Sequence, residues 1–188
     1  MSDPDPRTAA ARILNRGGVS AAPMARLPIL SIFDDDEYEN YDIDMIPPRR
    51  RSKLVKALVA EGYRQSSGRR IKDPDGARFE FPRPAALGTD PSRPAADLLG
   101  GGGSVLVTPT QALLLYLHRC GDLGAGAVAD ELRGLVWEQP ANLAKVAEWA
   151  RPAGRGALFG ELRPVLDEAQ REGIDLRKRR EFRSRLPR

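Results

Sequence analysis

Asp42 and Asp44 stand two residues apart in the alternating stretch "YDIDMI", and Glu80 stands in a second alternating stretch, "ARFEF". On an extended strand, residues two apart project from one face with their backbones roughly 6 to 7 Å apart, so the two aspartates can share a cation. If the strand carrying Glu80 lies beside them, a third carboxylate joins that face. Such a set suits Mg²⁺, a hard ion that takes oxygen ligands and substrate phosphates. The competing reading of Asp42 and Asp44 is a solvent-facing strand edge whose charge opposes aggregation. The surrounding stretch is acidic throughout: seven carboxylates occupy the eleven positions from Asp34 to Asp44, with no basic residue among them. Those from Asp34 to Glu39 read as an exposed turn, and "DDDEYEN" lacks the glycine and the alternating spacing of a calcium loop.

Basic residues gather elsewhere. The net charge is +4, yet "RKRREFRSRLPR" at the C-terminus holds seven basic residues against one acid, and "RRRSK" follows the acidic stretch closely. Arg177, Lys178, Arg179 and Arg180 in the first cluster, and Arg49, Arg50, Arg51 and Lys53 in the second, are candidate contacts to nucleic-acid phosphates, whose condensed counterions clustered Lys and Arg release. Each cluster also reads as plain solvated surface, the first as a partly disordered terminus and the second as a helix start. His118 is the single histidine and Cys120 the single cysteine. On a helix their side chains point to different faces, which argues against a nucleophile and base pair, and soft ligands are too few for zinc. Cys120 reads as a buried structural thiol.

The elements that must position these groups follow from periodicity and punctuation. "DPRTAAARILNRGG" predicts a helix closed by Gly17 and Gly18, and Pro23 and Pro28 punctuate a loop. "PILSIF" predicts a strand, "YDIDMI" another, and Pro47 and Pro48 end it. "RRRSKLVKALVAEG" places Leu54, Val55, Leu58 and Val59 on one helical stripe. "DPDG" predicts the turn of a hairpin leading into "ARFEFP". From Pro82 to Ser104 the chain reads as a flexible connection, and "GGGGS" lacks the Lys and Ser/Thr of a phosphate-binding P-loop. "VTPTQALLLYLHRCG" predicts a helix with Thr108 as N-cap, Pro109 in its first position and Gln111 completing a capping box. Further helices are predicted at "GAVADELRGLVWE", "PANLAKVAEWA" and "ALFGELRPVLDEAQREG", the last bent or split at Pro164. Trp137 and Trp149 read as core residues. The expected organisation is an α/β part over 1–104, a helical part over 105–176 and a basic tail over 177–188.

At these residues the chain resembles the DNA-polymerase-β-like nucleotidyltransferase superfamily, nearest to the AbiEii-type toxins of toxin–antitoxin pairs. The superfamily pattern is an apolar residue, Gly, Gly or Ser, about ten residues, then Asp-apolar-Asp-apolar. Here Ile29, Leu30 and Ser31 are followed by ten residues and then Asp42, Ile43, Asp44 and Met45. "EGY" resembles the close of the next helix in small members, and Glu80 stands where the third carboxylate strand belongs. The departures are Leu30 in place of glycine and Tyr116 where many relatives carry a basic residue, which leaves Arg119 as a substitute. The resemblance implies an α+β fold with a small mixed sheet packed on helices and a helical C-terminal part. It also implies transfer of a nucleoside monophosphate from a nucleoside triphosphate to an acceptor, with tRNA in view. In that scheme Asp42 and Asp44 hold Mg²⁺, Glu80 activates the attacking hydroxyl, Ser31 and Arg119 contact the nucleotide, and a cognate antitoxin protein is a partner. The competing reading is a non-catalytic module on the same fold that binds a protein or a nucleic acid.

At 188 residues with 41% hydrophobic content, the composition suits one domain with a real core. One cysteine excludes an internal disulfide and fits a reducing compartment. No N-terminal segment reads as a signal peptide, and the longest apolar run, "ALLLYL", is far short of the roughly 20 residues that cross a bilayer, so the expected location is the cytoplasm.

Overall fold

A computed structural model describes residues 5–34, 46–82 and 102–185, with side chains described as far as Arg179. The protein is α+β. In chain order the elements are α1 (Pro6–Arg16), β1 (Val19–Pro23), β2 (Ile29–Asp34), α2 (Pro48–Ala60), β3 (Arg64–Ser67), β4 (Arg70–Lys72), β5 (Arg78–Glu80), β6 (Ser104–Val107) and α3 (Pro109–Cys120). A 3₁₀ turn (Gly121–Leu123), α4 (Ala125–Glu138), α5 (Leu143–Ala150) and α6 (Gly156–Arg185) complete it.

The strands form one mixed sheet in the order β1-β2-β6-β5-β4-β3. β6 runs parallel to both β2 and β5, while β1–β2, β5–β4 and β4–β3 are antiparallel. Alternation along each strand divides the core into two layers. Leu30, Ile32, Leu106, Ile71 and Phe79 pack with Leu54 and Leu58 of α2 and Leu14 of α1. Ile29, Val105 and Val107 point the other way and join Leu113, Tyr116, Val128, Leu132 and Leu166 of the helical half. The boundary expected near residue 104 therefore falls on a strand in the middle of the sheet.

α1 starts as its sequence predicts. Asp5 caps it, accepting the Arg7 amide at 2.9 Å, and Gly18 takes a φ of +77°, a conformation that a side chain would strain. The Arg7 guanidinium pairs with Asp5 at 2.7 Å and donates to the carbonyl of Met24 at 2.6 Å and to that of Leu27, tying the helix start to the β1–β2 loop. The hydrogen bond to the Arg7 side chain chiefly holds the Asp5 carboxyl below its ordinary value. A carboxyl whose pKa is lowered by folding stabilises fully above the usual carboxylate range and loses that contribution as pH falls through its lowered value. Asp5→Asn keeps the cap but removes the titration, so urea midpoints below about pH 4 should fall less steeply than in wild type, whereas Asp5→Ala should cost about 1 kcal/mol at neutral pH. Identical acid limbs for Asp5→Asn and wild type would refute this.

The capping box at α3 is present in full: the Thr108 hydroxyl accepts the Gln111 amide at 3.3 Å, and the Gln111 side chain accepts the Thr108 amide at 3.1 Å. α3 is buried along nearly its whole length, between the sheet and the other helices, and Cys120 is buried as expected. Of the bend or split expected at Pro164, α6 shows no split. It runs unbroken through Pro164, because Phe159, Leu162, Leu166 and Ala169 form a continuous buried stripe while Pro164 lies on the exposed face, where water can satisfy the carbonyl it orphans. It also continues through Arg185, so the residues expected as a tail are helical to that point. At Gly173 α6 passes close to the end of α4: a Cβ there would lie 2.9 Å from the Trp137 carbonyl carbon. Of the two tryptophans expected in the core, Trp137 is 38% exposed, and Trp149 is half-buried with the Lys145 ammonium 5.3 Å from its ring centroid. No helix among the described residues is long and apolar enough to cross a membrane.

Candidate functional site

A cleft of about 960 Å³ opens where β2 ends and α2 begins, lined by Asp34, Pro47, Arg49, Arg50, Lys53 and Lys56, among others. Local sequence builds it directly. The apolar run Ile29–Phe33 forms a strand buried on both faces, and its last residue, Asp34, points to the α2 side. Pro47 is the N-cap of α2 and has no side chain that can cap it, so the partial positive charge of the helix end adds to the basic residues that follow. Among the described residues, four cations thus face one acid.

That acid is not in an exposed turn, as its sequence neighbourhood indicates. The Asp34 and Arg50 side chains are each 8% exposed and sit 3.2 Å apart, and Lys53 approaches the same carboxylate oxygen at 3.7 Å. Arg50 is likewise not on a solvated face. It points inward to neutralise Asp34, whereas Arg49, Lys53 and Lys56 stay exposed around the mouth. The pair fixes how α2 docks on the strand end and so sets the cleft's width. Asp34 was legible only as the residue that closes an apolar run shortly before an arginine cluster.

Of the other anticipated site residues, those that are described and lie outside the cleft do not come together. Asp42 and Asp44 lie outside the described residues. Glu80 lies on β5, where alternation with Phe79 turns it to the face away from α2, and it pairs with Arg70 of β4 at 3.0 Å. β4 and β6 occupy both edges of β5, so no further strand can be placed directly beside Glu80. Among the described residues, no three His, Cys, Asp or Glu side chains assemble a cation site. Ser31, expected at a phosphate, is wholly buried beneath α4, and its hydroxyl donates to Gln139 Oε1 at 2.6 Å. Gln139 in turn donates to the Ser20 carbonyl at 3.0 Å and hydroxyl at 3.1 Å, so Ser31 belongs to the joint between the sheet and the helical half.

Arg119 is exposed in the last turn of α3, about 15 Å along the helix axis from the end nearest the sheet. Tyr116 is fully buried, and burial together with its hydrogen bond to Glu131 raises its hydroxyl well above the usual phenol range. Arg177, expected at nucleic acid, instead donates to the Glu138 carbonyl and closes the end of α4. Lys178 and Arg179 are exposed on α6, and the Arg180 side chain lies outside the described set.

No protein-family model, curated protein or solved structure matches the chain.

Proposed function

We propose that the chain is a nucleotidyltransferase-like module whose cleft at the end of β2 binds the phosphates of a nucleoside triphosphate. The observation that carries this reading is the charge of the cleft: among the described residues, Arg49, Arg50, Lys53 and Lys56 line it with one acid, Asp34, at the start of α2. Clustered cations beside a helix N-terminus favour an anion with several charges over a monoanion. Arg49, Lys53 and Lys56 supply exposed contacts, and Arg50, held by Asp34, supports them from below.

The carboxylates on hand do not fit a Mg²⁺ set by themselves, since Asp34 is engaged by Arg50 and Lys53 and Glu80 by Arg70. Transfer of a nucleotide to an acceptor is the further reading, and it rests on the spacing of Asp42 and Asp44. The binding-only reading is favoured by Ser31, whose hydroxyl is committed to Gln139.

Calorimetric titration with each nucleoside triphosphate tests the conclusion. Wild type should bind, and Lys53→Ala should weaken binding by about tenfold, roughly 1.4 kcal/mol for one charge-assisted phosphate contact. A wild type that binds no triphosphate, or a Lys53→Ala variant that binds as well, refutes the cleft. Incubation with labelled triphosphate, magnesium and RNA then separates the two readings: label on RNA that is lost in Asp42→Ala and Asp44→Asn marks transfer, and no label marks binding alone.

A further inference from the structure

A second, smaller cavity lies between α2 and the β3–β4 hairpin. It holds about 340 Å³, and Arg51, Ser52, Val55 and Lys56 of α2 and Gln65 of β3 are among the residues that line it. Arg51 stands two positions from both Arg49 and Lys53, about 200° round the helix, so it faces away from the cleft. Ser52 and Lys56 line both hollows, on the ridge between them. Gln65 is directly opposite Ile71, a core residue on the α2 side, which turns it toward the same space. Its amide nitrogen is committed to the Ser67 carbonyl at 3.0 Å. Among the described residues, two cations and no acid line this cavity. Arg7, Arg50 and Arg155, which are also withdrawn from water, are each paired with an acid. Arg51 is half-buried, and among the described residues neither it nor Lys56 has an ion pair. The Arg51 Nε is buried with no hydrogen-bond partner there, a donor that costs stability for as long as it stays unmade. The first turn of α2 holds no acid to offset its cations, which oppose the helix dipole.

We propose that this cavity binds the phosphate group of a small phosphate monoester, of the size of a sugar phosphate. Charge complementarity carries the proposal. A monoester phosphate holds nearly two negative charges at neutral pH and presents three strong acceptor oxygens, which matches Arg51 and Lys56 together, whereas a carboxylate neutralises only one of them. The Arg51 guanidinium can turn its Nε edge to two of those oxygens as a planar fork, which gives the orphaned donor its partner. Lys56 adds a point charge, and the exposed Ser52 can add a hydroxyl donor. Pro48 and the buried Val55 give the carbon skeleton of the ester an apolar wall. The volume stands at the lower end of small-molecule pockets, roughly 300–1,000 Å³, and suits a ligand smaller than a nucleoside triphosphate. Arg51 does not line the cleft at the end of β2, so the cavity stands or falls independently of triphosphate binding there.

Calorimetric titration of the intact chain with ribose 5-phosphate, inorganic phosphate and ribose tests the cavity. Ribose 5-phosphate should bind more tightly than inorganic phosphate, and ribose should not bind. Arg51→Gln should weaken the sugar phosphate by about tenfold or more, the scale of one lost charge-assisted contact. Arg51→Lys should weaken it by less, because it keeps the charge and loses the fork, and it carries the test if the glutamine variant loses its fold. Wild-type affinity should also fall between about pH 7.5 and about pH 5.5, as the phosphate takes up its second proton near pH 6. Triphosphate affinity in the cleft should be unchanged in Arg51→Gln, and sugar-phosphate affinity unchanged in Lys53→Ala. A wild type that binds no phosphate, Arg51 variants that bind as tightly as wild type, or a loss that appears in Lys53→Ala instead would overturn the proposal. Equal affinity for ribose 5-phosphate and inorganic phosphate would overturn the ester assignment and leave free phosphate as the ligand.

Discussion

Asp34→Ala should destabilise the protein by about 3–5 kcal/mol, the cost of leaving one member of a buried ion pair without its partner. Asp34 and Arg50 are both 8% exposed, so the Arg50 guanidinium cannot recover full hydration without moving the first turn of α2 off the strand end. Coulomb attraction alone does not set the size of the effect. Desolvation of the surviving charge dominates, which is why the paired substitution Asp34→Leu with Arg50→Met should be close to neutral although it deletes the same contact. Chemical denaturation of wild type, the two single variants and the double variant measures this as a cycle. Two additive single effects would mean that the side chains do not depend on each other. The cycle also bears on the cleft: the double variant keeps Arg49, Lys53 and Lys56, and it should retain most triphosphate binding if Arg50 acts from beneath.

A loss of about 3 kcal/mol is expected for Gln139→Leu, for a different reason. Gln139 is wholly buried at the end of α4 and satisfies the Ser31 hydroxyl, the Ser20 hydroxyl and the Ser20 carbonyl together. Leucine fills a similar volume but offers no polar atom. Groups on two neighbouring strands then stay out of water without partners, at about 1–3 kcal/mol each, partly offset by the gain in apolar burial. Ser31→Ala in the Gln139→Leu background should recover part of the loss, because it removes one orphaned hydroxyl. Hydrogen exchange should locate the damage: amides of β1 and β2 should lose protection before those of β4 and β5, since the broken joint ties the helical half to that side of the sheet. Uniform loss of protection across the sheet would count against this account of the joint.

Both predictions concern residues whose roles were hidden in the sequence, and the pattern of what was legible has a physical basis. Elements specified by short-range chemistry were readable. The Thr108–Gln111 capping box, the glycines that close α1, the apolar stripe of α2 and the "DPDG" turn before β5 each depend on side chains within a few positions of one another. The strands missed by periodicity were β1, β3 and β6. "VSAAP" and "RQSS" are weak strand formers, extended only because a partner offers a free edge, and β6 is a short apolar run masked by the glycines before it.

What the sequence by itself determined is the inventory: an α+β chain, an acidic stretch beside an arginine cluster, one buried thiol, and the helix starts and stops that local hydrogen bonds specify. Tertiary structure alone decided which charges meet. Alternation separated Glu80 from α2, because a strand residue's face depends on its partners' register, and a shift of one position would reverse it. Burial drew Arg50 onto Asp34 and left Arg49 and Lys53 outside, a choice among adjacent basic residues made by a 100° turn per helical position and by which side of α2 meets the sheet. Ser31 was committed to Gln139, 108 residues away in sequence. Arg64, Lys72 and Arg78 came into one row by the pairing of three strands, although no two of them are sequence neighbours. Long-range contacts of this kind are fixed by packing and register, which no local pattern encodes.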